Sequence, residues 1–154
     1  MLTGKIGDGK FMVYEELDKL ITEMSGENAS DDYWYDVGVT DAMNLLEKFS
    51  ETNWELLGEN IIDKSLEWQR KLAYCLDNEC NMYELNILIS LLSTTDDELF
   101  EICIDTLRSF TNQESKKMIL DNPLILQRVN NLLLHTSSLP VKKMLQDFLS
   151  KIHS

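Results

Sequence analysis

From Val39 to the C-terminus the apolar residues recur every three or four positions, and almost nothing interrupts them: one glycine, Gly58, and two prolines, Pro123 and Pro140. That period places one face of an α-helix against a core, and few other chain forms tolerate so little glycine and proline. The whole chain of 154 residues holds 6 Gly and 2 Pro, enough length for one domain with a sizeable core of its own.

Individual helices can be placed. Val13, Leu17, Leu20, Ile21 and Met24 mark the first. Gly26 to Asp36 is polar and acidic apart from Tyr33, Trp34 and Tyr35, and reads as a loop with an aromatic insert. Ala42, Met43, Leu45, Leu46 and Phe49 form the next helix. Thr52 with Glu55, Thr95 with Glu98 and Thr111 with Glu114 have the spacing of capping boxes, in which two side chains satisfy the first free amides of a helix. Trp54, Leu57, Gly58, Ile61 and Ile62 then share a face, as do Trp68, Leu72, Cys75 and Leu76. Met82 to Leu92 is apolar on most sides, the mark of a helix buried between neighbours. Leu99, Ile102, Cys103, Leu107 and Phe110 line another. Pro123 stands where a first helical position costs no hydrogen bond, and Pro140 opens the last helix, striped by Met144, Leu145, Phe148 and Ile152.

The expectation is a single all-α domain over 12–154, with 1–11 as a flexible lead-in. About eight or nine helices, joined by short connections, should form an irregular stack of antiparallel pairs of HEAT-like type, an α-α superhelix. A compact multi-helix bundle is the alternative.

Charge narrows function. With 14 Lys+Arg against 27 Asp+Glu the net charge is −13. Phosphate contacts require a basic face, so direct nucleic-acid binding and anionic membrane surfaces are disfavoured. No apolar run approaches the ~20 residues that span a bilayer. Met1 to Lys10 has no hydrophobic signal-peptide core, and three cysteines make no disulfide framework, so a cytoplasmic location is expected. The excess is uneven. Residues 15–63 hold 14 acidic and 2 basic residues, a net of −12, while 64–154 hold 12 and 10, a net of −2. Solubility alone requires no such asymmetry.

Catalytic motifs fail on inspection. Gly4 to Lys10 has P-loop spacing, but Phe11 stands where magnesium needs a Ser or Thr, and no buried strand precedes it. Cys75 and Cys80 flank a helix end far in sequence from His135 and His153, so zinc lacks a ligand set. No Gly-rich turn or electropositive stretch activates a cysteine, and no nucleophile elbow is present. No cofactor, metal or small-molecule substrate is expected, and the protein reads as a binding module rather than an enzyme. An enzyme built on Asp31 or Asp32 would need a deep pocket with perturbed carboxylates.

The acidic segment also carries rings. Tyr33-Trp34-Tyr35 lies between Asp31-Asp32 and Asp36, and Trp54 lies beside Glu55, with Glu51 and Glu59 one turn either side. Aromatic anchors ringed by carboxylates grip a basic protein surface. The candidate contact residues are therefore Asp31, Asp32, Tyr33, Trp34, Tyr35, Asp36, Glu51, Glu55 and Glu59. Trp54, on a clean apolar stripe, reads as core. For the three consecutive rings the structural and functional readings weigh equally, but they cannot all point one way, so at least one should stay exposed.

Asn53-Trp54-Glu55-Leu56-Leu57, the helix Lys64-Ser65-Leu66-Glu67-Trp68-Gln69-Arg70-Lys71-Leu72-Ala73-Tyr74-Cys75-Leu76 and the restart at Asp96-Asp97-Glu98 resemble a helical, HEAT-like type of bacterial immunity protein. Such proteins are encoded beside polymorphic or contact-dependent growth inhibition toxins. The resemblance covers roughly residues 36–110 and is one of helix spacing and polar choices. It implies a cytoplasmic inhibitor of one cognate toxin domain, often a nuclease such as an RNase, whose basic substrate groove an acidic protein can occupy as a nucleic-acid mimic. It does not assign contact residues. The alternative function is a helical-repeat scaffold or adaptor in a regulatory complex.

Overall fold

The computed structural model describes residues 12–26 and 30–154. The expected lead-in and the P-loop-like run fall on residues 1–11, outside the described residues.

The described residues form nine helical rods and no strand, an all-α fold. In chain order these are α1 (Met12–Met24), α2 (Asp31–Tyr33) running through a π-helical segment (Trp34–Gly38) into α3 (Val39–Glu47), α4 (Glu51–Asn60) with a 3-10 turn (Ile61–Asp63), α5 (Leu66–Tyr74), α6 (Met82–Leu91), α7 (Asp97–Leu107), α8 (Gln113–Leu120), α9 (Pro123–His135) and α10 (Leu139–Ile152). The chain divides into two compact units, up to Glu79 and from Cys80 to Ser154.

The caps explain where the helices begin. Ser50, Asp96 and Asn112 accept from the amides of Asn53, Leu99 and Ser115. The threonines expected as caps stand one or two residues away, because Ser, Asp and Asn outcompete Thr for that geometry. Among the described residues the complete capping box is at Asn81 and Glu84, which exchange side-chain and backbone bonds at the start of α6. Pro123 sits at the start of α9 as expected.

In unit 1, α1 packs against α3, α4, α5 and the π-helical segment. Leu17 and Ile21 of α1 are fully buried with Ala42, Leu57, Ile61 and Leu72 of the surrounding helices. Polar bonds fix the register. The Tyr14 amide donates to Asn53 Oδ1 at 2.9 Å, tying α1 to α4. Asp18 Oδ1 accepts from Lys64 Nζ at 2.8 Å and from Trp68 Nε1 at 3.1 Å, tying α1 to α5. Burial works to lower the Lys64 pKa, but the Asp18 bond and the charges of Tyr14 and Asp18 outweigh it and hold it above its usual value. Gln69 donates to the Ile61 carbonyl at 2.7 Å, satisfying the end of α4. Ile62, expected on the apolar face, is instead 62% exposed, because the 3-10 turn rotates it away.

In unit 2, α7 packs on α6 and α10, and α9 on α8 and α10. Leu88, Leu99, Phe100, Cys103, Ile104, Val129 and Leu145 are enclosed. Arg128 stacks 4.2 Å over Phe100 and bonds the Thr94 carbonyl and Asp97, which caps the loop before α7. Arg108, at the end of α7, reaches Asp147 of α10 at 3.0 Å.

Candidate partner-binding surface

Of the segment Gly26 to Asp36, expected as a loop, residues 31–36 are helical. Ser30 accepts from the Tyr33 amide, and Asp31 and Asp32 occupy the first turn, where carboxylates complement the helix dipole. The helix then widens: the Val39 amide donates to the Trp34 carbonyl, an i to i+5 bond. Such π-helical turns insert a residue into a helix and recur at functional sites. Trp34, Gly38, Ala42 and Leu46, spaced four residues apart through this segment and α3, are all buried.

This corrects one expected contact residue. Trp34 is 2% exposed, a core ring unavailable to a partner. Its neighbours divide as a helix requires: Tyr33 and Tyr35 are 52% and 56% exposed, and Asp31, Asp32 and Asp36 lie at the surface. Trp54 is buried, packed edge-to-face on Phe49 with ring centres 4.9 Å apart.

Three residues of α5 complete the surface, and sequence reasoning missed them. Lys71 lies with its ammonium 5.7 Å from the Trp34 ring centre, 3.1 Å from Glu67 and 4.0 Å from Asp31. Its side chain is 9% exposed. A cation so enclosed needs these partners to offset its lost hydration. Tyr74, one turn further along α5, meets Tyr35 edge-to-face with centres 5.3 Å apart and planes at 74°. The Glu67–Lys71 spacing was visible in the sequence, but nothing local points from α5 to Asp31 or Tyr35, 39 or more residues earlier.

The remaining candidates lie on α4. Glu51, Glu55 and Glu59 recur every four residues and are all exposed, a single acidic stripe with no ion pair among the described residues. By sequence, unit 1 carries 18 acidic and 7 basic residues, a net of −11, and unit 2 carries 9 and 7, a net of −2. The charge asymmetry thus follows the division into units.

Other chemistry is quiet. Burial raises the thiol pKa of Cys103 to about 12 and, with Asp77 nearby, raises that of Cys75 further. Among the described residues no cluster of His, Cys, Asp or Glu could hold a metal ion. No described helix is long and apolar enough to cross a membrane. In comparisons with known proteins no family model, curated protein or solved structure matches the chain.

Proposed function

We propose that the protein is a cytoplasmic immunity protein that neutralises a cognate basic toxin domain, a nuclease such as an RNase of a contact-dependent growth inhibition system, by direct contact and without turnover. The observation that carries this reading is the exposed acidic and aromatic surface at Asp31, Asp32, Tyr33, Tyr35 and Asp36, in the unit that holds most of the net charge. Exposed tyrosines give contact area at small entropic cost, and carboxylates around them pair with Arg and Lys. The acidic stripe of α4 adds long-range attraction that speeds encounter. The resemblance of residues 36–110 to immunity proteins supports the same reading.

The test is calorimetric binding to the toxin domain encoded by the adjacent gene, together with inhibition of that toxin. Nanomolar binding that weakens at least about tenfold between roughly 0.05 and 0.5 M salt is expected. Asp32→Lys combined with Asp36→Lys, which leaves Asp31 in place beside the enclosed Lys71, should weaken binding by about tenfold or more with the fold intact. Tight but salt-insensitive binding would move the interface to apolar surface. Absence of binding and inhibition would remove the immunity reading and leave the scaffold function.

A further inference from the structure

Asp31 and Tyr35 stand four residues apart on the helix that begins at α2, and Glu67, Lys71 and Tyr74 follow one another along one face of α5. Two contacts bring these rows together. Asp31 lies 4.0 Å from Lys71, and Tyr35 meets Tyr74 edge-to-face at 5.3 Å. The result is a seam with carboxylates, Asp31 and Glu67, at one end and two phenol rings at the other.

The inner side of this seam already seats a cation. Lys71 rests over the face of Trp34 between the two carboxylates. The outer side repeats the same chemistry at the surface. Tyr35 and Tyr74 are 56% and 43% exposed, and among the described residues no cation lies over the Tyr35 ring. The Asp31 side chain is 85% exposed and at the outer limit of pairing with Lys71, so its oxygens remain open to a second donor.

We infer that the Tyr35–Tyr74 pair, with Asp31 at its end, seats an arginine side chain of a basic partner protein. A guanidinium is flat, stacks on an aromatic face, and carries donors in its plane that a carboxylate can take in pairs. Lysine presents a compact, strongly hydrated charge that gains less from a ring and takes a carboxylate at one point. The net charge of −11 on this unit complements such a partner. The identity of the partner rests on the proposed function; the preference for arginine does not.

The test titrates the full protein, followed by NMR, with hexa-arginine and separately with hexa-lysine. The expected result is movement of the Tyr35 and Tyr74 ring signals, with arginine binding about fivefold tighter than lysine. Tyr35→Leu and Tyr74→Leu keep apolar bulk but remove the ring, and each should bring arginine down to the level of lysine. Asp31→Asn should weaken the arginine peptide more than the lysine peptide. Should Tyr35→Leu disturb the helix, seen as altered tryptophan fluorescence, Tyr74→Leu on the separate helix α5 carries the test. Equal affinities for the two peptides overturn the proposal, as do a preference that survives both leucine variants and shifts confined to α4. Binding of the adjacent toxin domain that ignores Tyr35→Leu and Tyr74→Leu would overturn the arginine seat and leave the immunity reading standing. An arginine preference without toxin binding would do the reverse.

Discussion

Gly38 lies directly under the ring of Trp34: a Cβ added to Gly38 would sit 2.5 Å from Trp34 Cε3. Gly38 has ordinary helical dihedrals, φ −59° and ψ −42°. The glycine is therefore required by the close approach of the ring and not by backbone conformation. In an open helix Gly→Ala gains about 1 kcal/mol. Here the ring is enclosed on its other side and has little room to retreat, and overpacking costs about 1–3 kcal/mol. Gly38→Ala is expected to lower stability and shift the summed tryptophan emission, as measured by urea unfolding followed by fluorescence. A more stable variant with unchanged emission would show that the ring moves freely.

Trp68 is 2% exposed, and its indole N–H is satisfied by Asp18. Trp68→Ala should cost roughly 3–5 kcal/mol through the cavity it leaves. Trp68→Phe keeps most of the volume and loses the indole bond, a smaller cost of about 1–2 kcal/mol. Chemical denaturation of the two variants gives both numbers. A stable Trp68→Ala variant that no longer binds the toxin domain would make Trp68 an interface residue.

The three free cysteines should separate by reactivity. Cys75 and Cys103 are buried with thiol pKa values pushed upward, so neither the thiolate nor access is available in the folded protein. Cys80 is partly exposed. Maleimide labelling of the native protein near neutral pH, read by mass spectrometry, should modify Cys80 first, with the other two reacting only on unfolding.

Glu101 gives a pH-dependent prediction. Burial first, then the charges of Asp97, Glu98 and Asp96, hold its carboxyl above the usual range. The folded state thus keeps this proton more tightly than the unfolded chain does. Ionising Glu101 costs stability as pH rises through the raised folded value, and the cost is absent below the unfolded value. Glu101→Gln should stabilise by about 0.2–0.5 kcal/mol at neutral pH, the scale of like-charge pairs on a helix. The gain should vanish near pH 3, where both states are protonated. Thermal melts at the two pH values decide it.

Much of the fold was legible because helices are written locally. A period of three to four residues placed α1, α3 to α7 and α10, the Thr111–Glu114 spacing pointed to α8, Pro123 marked the start of α9, and the apolar stripes put Trp54 and Trp68 inside. Cap positions slipped by a residue or two at α4, α7 and α8, where several capping side chains stand side by side. The helix through Tyr33, Trp34 and Tyr35 was not legible. Aromatic and acidic residues form helices weakly on their own, and only packing of the Trp34 line against α1 and its neighbours stabilises the π-helical turn.

By itself, then, the sequence determined the helices other than the one through Trp34, the all-α class and the concentration of negative charge up to Asp63, since periodicity, capping and composition depend only on near neighbours along the chain. The tertiary structure decided which of three consecutive rings is core, that Lys71 is enclosed against Trp34, and that Tyr35 meets Tyr74. Those relationships join residues more than thirty positions apart, and their free energy arises only when packed helices exclude water between them.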